Sequence, residues 1–309
     1  PVVWYSYPAR HPGITIRARG TSQMDDASAS VRTGMLSADP HLSRFDPMGR
    51  IVFYDDFDRG LSGWTELISA SDYPDPSGSP FQLPPWNRDY RPPMLSNLTM
   101  PDTGTHGALQ GSYSLKVATR HRRGHFAKAL KRLTWLRRGV YQAECFFTFK
   151  PEPTSLTLGE ENTRYFGMSF DLQDENHRYF LLIRYLNAVD GVLHQKWQYS
   201  ATSKMLPGEG GFGEREFKDI PGGKMPLCYN ETVTKINWHY LRWVVDLEKR
   251  EHVEMQCNDQ TLDMRGSVPA MRPPTSTLRG LLNLGFFVET DTDARCFFMI
   301  DSVLLSTKR

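Results

Sequence analysis

The chain has 309 residues, a formal net charge of +2 and 39% hydrophobic residues, a length that accommodates one large β domain or two ordinary ones. The near-neutral charge gives no electrostatic argument for nucleic-acid binding. The sequence contains no run of about 18 apolar residues, which argues against a membrane span. The first residues, PVVWYSYPARHPG, lack the apolar stretch of a signal peptide. We therefore expect a soluble protein, and the compartment stays open.

Residues 1–50 show neither a helical nor a strand period and mix Pro, Arg, Ser and Gly. Irregular arms of this length either lack order or wrap another surface. Trp4, Tyr5 and Tyr7 favour docking, with a neighbouring subunit as a candidate target. We predict an N-terminal arm over residues 1–50 that makes homo-oligomer contacts, and a single folded domain over residues 51–309.

Strand patterns follow one another from residue 51 onward. The segment 125–136 (HFAKALKRLTWL) fits a strand or a short helix, whereas Asp174-Glu175-Asn176 predicts a hairpin turn between two strands. Two long loops interrupt the pattern, at residues 73–107 and 203–230. The first contains Trp86 and other aromatic residues, and we predict that it forms a wall beside a binding face.

The clearest strand pair lies between residues 238 and 259. Leu241, Trp243 and Val245 alternate with polar residues, a turn follows at residues 248–251, and a second alternating stretch ends at Cys257. Together with about a dozen strand patterns and no alternation of strand with helix, this hairpin predicts an all-β, antiparallel sandwich and excludes a doubly wound α/β fold.

The four cysteines, at positions 145, 228, 257 and 296, form no CxxC pair. Since three of them sit in strand patterns, we expect burial as small apolar residues. A pair of disulfides is the alternative, and it would imply an oxidising compartment.

Four short motifs occur along the chain in a fixed order. They are Asp55-Asp56-Phe57 with Leu61-Ser62-Gly63-Trp64, then Ser112–Val117, then Trp238–Arg242 with Asn258, and last Met299–Val303. Together they resemble motifs of the concanavalin A-like (laminin G-like) jelly-roll superfamily, and the style of the sequence resembles its bacterial sugar-active, keto-glycoside-hydrolase-like members. The resemblance covers residues 51 to 307. It implies a jelly-roll sandwich whose first and last strands lie side by side, and it leaves activity open.

The sequence departs from the retaining endoglucanases of that superfamily. Those enzymes carry two glutamates around an aspartate on one strand, whereas the nearest stretch here, residues 171–175, has a different spacing and falls at a turn. Glycoside hydrolysis needs paired carboxylates, one as acid and one as nucleophile or base. A standard glycanase is therefore disfavoured.

Polar side chains on neighbouring strands suggest a carbohydrate-binding surface. Arginine and amide groups bind sugar hydroxyls, and aromatic rings stack on the apolar face of a pyranose. If the polar faces converge on one concave sheet, the substrate-binding residues are Tyr165, Asp171, Arg184, Gln198, Arg242, Gln256 and Trp86. The alternative is a solvated sheet face with cross-strand charge pairs.

Candidates for catalysis, as a glycoside hydrolase or polysaccharide lyase, are His194 and His239 as proton-transfer groups and Glu254 as carboxylate. His239 also fits a buried structural residue, because it is in register with Leu241. His252, a further candidate, follows a turn and is expected to be solvated. A non-catalytic lectin-like module and a structural or assembly protein are the alternative functions.

Two charged clusters complete the candidate sites. The basic segment TRHRRGHFAK, with His121 and His125, suits an anionic sugar or forms an ordinary charged turn. The resemblance also implies a structural calcium ion where the first and last strands meet, with Asp55, Asp56 and Asp301 as ligands. The alternative is that these aspartates cap turns and strand ends.

Overall fold

The computed structural model describes residues 33–66, 93–96, 107–134, 139–151, 159–201, 216–229, 237–272 and 280–308. Chain contacts divide it into two compact units, Pro1–Asp46 and Pro47–Arg309. In the first unit a helix spans residues 33–38, and the Asp39 carboxylate accepts the backbone N–H of His41 at 2.8 Å just beyond it. Among the described residues, no helix combines the length and apolar character needed to cross a membrane. The predicted oligomeric role of the arm stays a prediction.

The second unit is built from two antiparallel sheets. Sheet A contains β1 (Arg50–Asp55), β3 (Met94–Leu95), β4 (Leu115–Ala118), β6 (Val140–Pro151), β11 (His239–Asp246), β12 (Glu251–Cys257), β13 (Gln260–Ser267) and β16 (Cys296–Thr307). Sheet B contains β2 (Trp64–Glu66), β5 (Phe126–Thr134), β7 (Thr163–Gln173), β8 (Arg178–Val189), β9 (Val192–Ser200), β10 (Phe217–Lys224), β14 (Ala270–Arg272) and β15 (Leu281–Thr290). A short 3₁₀ helix, Glu160–Asn162, precedes β7.

The order of the strands follows their hydrogen bonds. Sheet A runs β13-β12-β11-β6-β16-β4-β3, and β1 pairs with the second half of β16, where Tyr54 is opposite Leu304. Sheet B runs β10-β9-β8-β7-β15-β5-β2, and β14 pairs with the first half of β8. The predicted antiparallel sandwich is confirmed, as is the pairing of the first strand with the last.

The core lies between the sheets because alternate side chains of each strand face inward. Cys145, Phe147 and Leu241 come from sheet A, and Phe166 and Tyr185 come from sheet B, all fully buried in one cluster. Aromatic rings hold the layers together; the rings of Phe166 and Phe147 lie 5.4 Å apart across the sandwich. Side chains at the alternate positions lie on the outer faces of the two sheets.

Several local predictions differ from the structure. The segment that fits a strand or a short helix contains the strand β5. It is a strand because β15 pairs with it at nine positions, from Leu281 to Glu289. The loop predicted over residues 203–230 contains β10, and the loop predicted over residues 73–107 contains β3. Short or glycine-containing edge strands have too few alternating residues to stand out in a sequence.

The cysteines are free, and three of them, Cys145, Cys257 and Cys296, are buried as predicted, whereas Cys228 is exposed. Burial raises the pKa of the Cys257 thiol to about 12. The buried thiols therefore behave as small apolar groups rather than as nucleophiles.

Candidate functional site

The predicted sugar-binding residues lie on two different faces. Tyr165, Asp171, Arg184 and Gln198 belong to β7, β8 and β9 of sheet B, whereas Arg242 and Gln256 belong to β11 and β12 of sheet A. The prediction that these polar faces converge is therefore wrong. Alternation along a strand tells which side chains face the core but not which sheet the strand joins, and that depends on long-range pairing.

Arg184 is the centre of the outer face of sheet B. Its guanidinium carbon lies 3.5 Å from the ring centroid of Phe217 and 4.8 Å from that of Tyr165. Its Nε donates a hydrogen bond of 2.9 Å to Oε1 of Gln198. Two rings and one amide therefore fix the orientation of the guanidinium, and burial lowers its pKa to about 10. It is a cation at neutral pH.

A second set of contacts holds the amide that orients Arg184. Nε2 of Gln198 donates to Oδ1 of Asp219 at 2.7 Å, and Nζ of Lys196 donates to Oδ2 of the same carboxylate at 2.8 Å. These two hydrogen bonds lower the pKa of Asp219, with the bond from Gln198 as the larger cause. Because Gln198 donates to Asp219 through its nitrogen, its oxygen is left to accept from Arg184.

The terminal nitrogens of Arg184 have no protein acceptor among the described residues: its one hydrogen bond is made by Nε, and no carboxylate lies within 4.0 Å of it. Two neighbouring arginines of this face are paired. Arg178 forms two hydrogen bonds with Asp171, of 2.7 and 2.6 Å, and Arg164 binds Glu289 at 3.1 Å. Arg184 thus presents two terminal nitrogens in a fixed orientation, and their N–H groups can donate to a ligand.

Two glycines form the floor beside Arg184. A Cβ atom at Gly167 would lie 2.1 Å from the carbonyl oxygen of Ile183 and 2.9 Å from the ring of Phe287. Phe287 pairs with Gly167 across β7 and β15, and only 1% of its surface is exposed. At Gly285, a Cβ would lie 2.6 Å from Cε of Lys128. The glycines therefore let the ring of Phe287 and the stem of Lys128 lie directly on the sheet.

We call this surface the Arg184 face, defined by Tyr165, Arg184, Gln198, Phe217 and Phe287. Strand pairing sets Gln198, Arg184, Gly167 and Phe287 in one cross-strand row. A small apolar cluster flanks the row and contains Phe180, Leu182, Phe287, Phe126, Tyr165 and Phe217. Charged donors and aromatic rings are thus side by side on a rigid sheet.

Tyr165 also contacts a partly buried carboxylate. Its hydroxyl donates to Oε2 of Glu289, and Arg164 donates to the other carboxylate oxygen. Burial raises the pKa of Glu289, and burial together with the Glu289 charge raises the pKa of Tyr165 well above its ordinary value. A phenol with a raised pKa is a poor base at neutral pH, so Tyr165 contributes its ring and a hydrogen bond rather than proton abstraction.

Three carboxylates on this face are too far apart to act as a pair. Asp171 is opposite Asn283, six residues along β15 from Glu289, which separates their backbones by about 20 Å. Asp219 lies four strands away from Glu289, about 19 Å across the sheet. Glycosidase carboxylates stand roughly 5 to 9.5 Å apart. These three carboxylates are therefore too far apart to act as such a pair. Asp291 is closer to Glu289, since both contact Arg164, but its side chain is only 1% exposed and is not accessible to a substrate.

The three catalytic candidates do not come together either. Glu254 lies on β12 of sheet A and binds Arg242 of the same sheet, whereas His194 lies on β9 of sheet B. His239 is buried, and its Nε2 lies 2.8 Å from the carbonyl oxygen of Cys228 while its Nδ1 lies 3.1 Å from the amide nitrogen of Asn258. A carbonyl only accepts, so Nε2 carries the proton. Burial lowers the pKa of His239, and the alternative of a buried structural residue is confirmed for it.

His252 is fully buried, so the expectation that it is solvated is wrong. The pairing of β11 with β12 shifts register between Val244 and Val245. At the start of β12 this shift turns the side chain of His252 to the inner side of the sheet. The ring of His252 therefore stacks on Trp243, with centroids 5.5 Å apart, and its Nδ1 accepts the indole N–H at 3.2 Å. Burial lowers the pKa of His252 to about 3. A bulge of one residue is invisible to an alternation pattern.

The outer face of sheet A differs from the Arg184 face. Arg242 donates to Glu254, and its neighbour across β11 and β6 is Glu144, which has no exposed surface. Oε1 of Glu144 accepts the hydroxyl of Tyr240 at 2.6 Å, and Oε2 accepts Nε2 of Gln142 at 2.9 Å. Arg242 and Glu144 are thus each engaged by a side chain of their own sheet.

The predicted calcium ligands accept hydrogen bonds from N–H groups. Asp55 accepts the backbone N–H of Phe57 and the indole N–H of Trp64, each at 3.0 Å. Oδ2 of Asp301 accepts the backbone N–H groups of Leu109 and Gln110. Asp56 accepts the N–H of Asp58 at 3.3 Å.

Calcium prefers oxygen ligands, so these N–H partners fit the turn-capping alternative better than an ion site. Within the described ranges, no group of three or more His, Cys, Asp or Glu side chains is arranged to hold a metal. Calcium binding stays a prediction.

Sequence reasoning missed Phe217, Gly167, Phe287 and Glu289. One signal was present: Gly167 and Gly285 each interrupt a strong strand pattern, which marks close approach of another group. Trp86 lies outside the described residues.

The protein is therefore an antiparallel β-sandwich of two sheets, and the outer surface of one sheet carries an arginine held between aromatic rings. The chain belongs to the family described as Domain of unknown function (DUF6772), whose model matches residues 32–309. No curated protein matches the chain.

Solved structures resemble the chain at low identity. The potassium-bound carbohydrate recognition domain of Emp46p is 10% identical, covers 85% of this chain and 97% of its own, and gives a TM-score of 0.40. The cellulose-induced protein Cip1 is 12% identical, with coverages of 83% and 98% and a TM-score of 0.43. A β-1,3-glucanase from Mycobacterium marinum is 12% identical, with coverages of 83% and 99% and a TM-score of 0.37. Similarity at this level does not transfer a ligand or an activity.

Proposed function

We propose that the protein binds a carbohydrate on the Arg184 face. The observation that carries the proposal is the guanidinium of Arg184, which is held between the rings of Tyr165 and Phe217, is oriented by Gln198, and has no acceptor on its terminal nitrogens among the described residues.

A sugar needs both kinds of group that this face offers. Vicinal hydroxyls accept hydrogen bonds from a planar, two-pronged donor, and the C–H face of a pyranose packs on aromatic rings. Since the rings and Gln198 already restrict Arg184, little side-chain entropy is lost when a ligand binds. The rigid sheet supports these groups better than a loop would.

Binding is favoured over cleavage by the spacing and burial of the carboxylates. Asp171, Asp219 and Glu289 are about 20 Å apart, and each is engaged by a neighbouring donor. Asp291, which shares Arg164 with Glu289, has a side chain that is only 1% exposed. Glu254, His194 and His239, which were predicted as catalytic residues of a hydrolase or lyase, do not share a site among the described residues. A binding module requires only shape, stacking and hydrogen bonds.

The test is a panel of neutral and acidic oligosaccharides incubated with the purified protein. Isothermal titration measures binding, and mass spectrometry of the sugars measures cleavage. We expect at least one glycan to bind with unchanged mass, and Arg184→Gln to weaken it by about 10- to 100-fold, as expected for a charge-assisted hydrogen-bond pair.

Arg242→Gln is the matched control, because it removes the arginine of the opposite outer face. Its affinity should stay within about twofold of the wild type. Binding lost in Arg242→Gln and kept in Arg184→Gln would move the site to sheet A. A panel with no bound glycan would reject the proposed function, and new sugar masses would make the protein an enzyme.

A further inference from the structure

We infer that the sugar bound on the Arg184 face is acidic, and that its carboxylate is held end-on by the two terminal nitrogens of Arg184. The inference rests on the proposed function and specifies the ligand class.

The direction of the free donors supports a carboxylate. A guanidinium has a side edge, formed by Nε and one terminal nitrogen, and an end edge, formed by both terminal nitrogens. Gln198 occupies Nε of Arg184 at 2.9 Å, which leaves the end edge for a ligand. Two parallel N–H groups on that edge match the two oxygens of a planar carboxylate.

The ion pairs of the face leave Arg184 without a carboxylate. Arg178 is paired with Asp171 at 2.6 Å, Lys196 with Asp219 at 2.8 Å, and Arg164 with Glu289 at 3.1 Å and with Asp291 at 3.7 Å. Each of these carboxylates contacts another cation, and none lies within ion-pair distance of Arg184 among the described residues, so an anion can be supplied there by a ligand.

Burial makes that unmatched charge costly. Arg184 is partly buried between two rings, where its cation is less well solvated than in water. An anion carried by the ligand would offset this cost, whereas a neutral hydroxyl would offset less of it.

A further cation lies on the same row. Lys128 is opposite Phe287, and Phe287 is opposite Gly167, which pairs with Arg184. Three strand spacings separate the two cations, about 14 Å across the sheet. An acidic oligosaccharide lying across the strands would place its negative charge between them.

The test compares uronate oligosaccharides with their methyl esters, using galacturonate, glucuronate and mannuronate trimers, and includes a sulfated galactan oligosaccharide as a further arm. Esterification removes the charge and keeps the ring. We expect at least one acid to bind the wild type at least about tenfold more tightly than its ester. Arg184→Gln should weaken binding of the acid by more than it weakens binding of the ester, and so remove most of the difference between them.

The wild-type comparison needs no variant, so it decides the question even where Arg184→Gln folds poorly. Esters that bind as tightly as the acids would overturn the acidic ligand and leave the proposed function intact. Binding of the sulfated sugar alone would contradict the inference that Arg184 binds a carboxylate. Failure of acids, esters and neutral glycans together would reject the proposed function itself.

Discussion

The outer faces of the two sheets each carry an arginine near their centre, and the two arginines have different surroundings. Arg242 on sheet A forms an ion pair with Glu254 and stands beside the fully buried Glu144. Arg184 on sheet B is stacked between two rings and keeps its terminal nitrogens without a carboxylate among the described residues. The comparison shows that two arginines at corresponding polar positions of alternating strands can have different partners, and the proposed binding site follows from the partners of Arg184.

The difference extends to the surfaces around the two arginines. Sheet A surrounds Arg242 with side chains that hydrogen-bond one another, as Tyr240 and Gln142 do with Glu144. Sheet B places Gly167 beside Arg184, where the ring of Phe287 lies close to the backbone. A floor of small residues with aromatic walls is the arrangement expected of a binding surface.

The largest expected effect comes from the glycine floor of sheet B. Gly167→Ala would place a methyl group 2.1 Å from the carbonyl oxygen of Ile183, so β7 and β8 must separate. We expect a loss of about 3 kcal/mol or more in the free energy of unfolding, measured by urea denaturation. Gly34→Ala is the control, since nothing lies within 4 Å of its new methyl group. Equal stability of the two variants would contradict the described packing of sheet B.

A smaller effect is expected at the buried aspartate of β16 in sheet A. Asp301→Ala leaves the backbone N–H groups of Leu109 and Gln110 without their acceptor. The free energy of unfolding should fall by about 2 kcal/mol, and to the same extent with calcium or with EDTA. If EDTA destabilised the wild type and had no effect on Asp301→Ala, the calcium prediction would be supported instead.

Acid should destabilise the protein through the inner side of sheet A. The folded-state pKa of His252 is about 3, below the ordinary value of 6.5, so between these values the unfolded chain binds the proton and the folded chain does not. Stability therefore falls as pH drops through 6.5. Between pH 7 and pH 5.5 the His252 contribution should fall by about 1 kcal/mol.

His252→Gln should lose this part of the pH dependence and keep an acceptor for the indole of Trp243. The measurement is urea unfolding of both proteins at the two pH values. An identical pH dependence would mean that His252 is solvated in the folded protein.

The smallest expected effect separates the ring of Tyr165 from its hydroxyl. Tyr165→Phe keeps the ring that packs on Arg184 at 4.8 Å and removes only the bond to Glu289. Affinity for a bound glycan should change less than about twofold, whereas Tyr165→Ala should weaken it by about 3- to 10-fold, the range of a cation–π contact. Equal loss in both variants, measured by titration calorimetry, would assign the contact to the hydroxyl.

Much of the fold follows from local patterns in the sequence. Alternation around Leu241 and Trp243 predicts β11, and the turn after Asp246 is completed when its carboxylate accepts the N–H of Glu248 at 2.9 Å. Arg184 and Gln198 were also recognisable, because both stand at the polar positions of alternating strands. These features depend on neighbours in the chain, which a single sequence displays.

The remaining features depend on partners far along the chain. Whether Arg184 and Arg242 share a face is decided by the pairing of β7 with β15 and of β11 with β6, over separations that periodicity does not encode. The position of His252 depends on a bulge. Phe217 contacts Arg184 only because β10 forms the edge of sheet B.

The central claim is that the ligand occupies sheet B rather than sheet A, and hydrogen–deuterium exchange tests it most directly. Exchange is followed by mass spectrometry with and without the tightest-binding oligosaccharide of the panel. The account predicts slower exchange in β7, β8 and β9 around Arg184 and unchanged exchange in β11 and β12 around Arg242. Protection confined to β11 and β12 would contradict it and place the ligand on the opposite side of the sandwich.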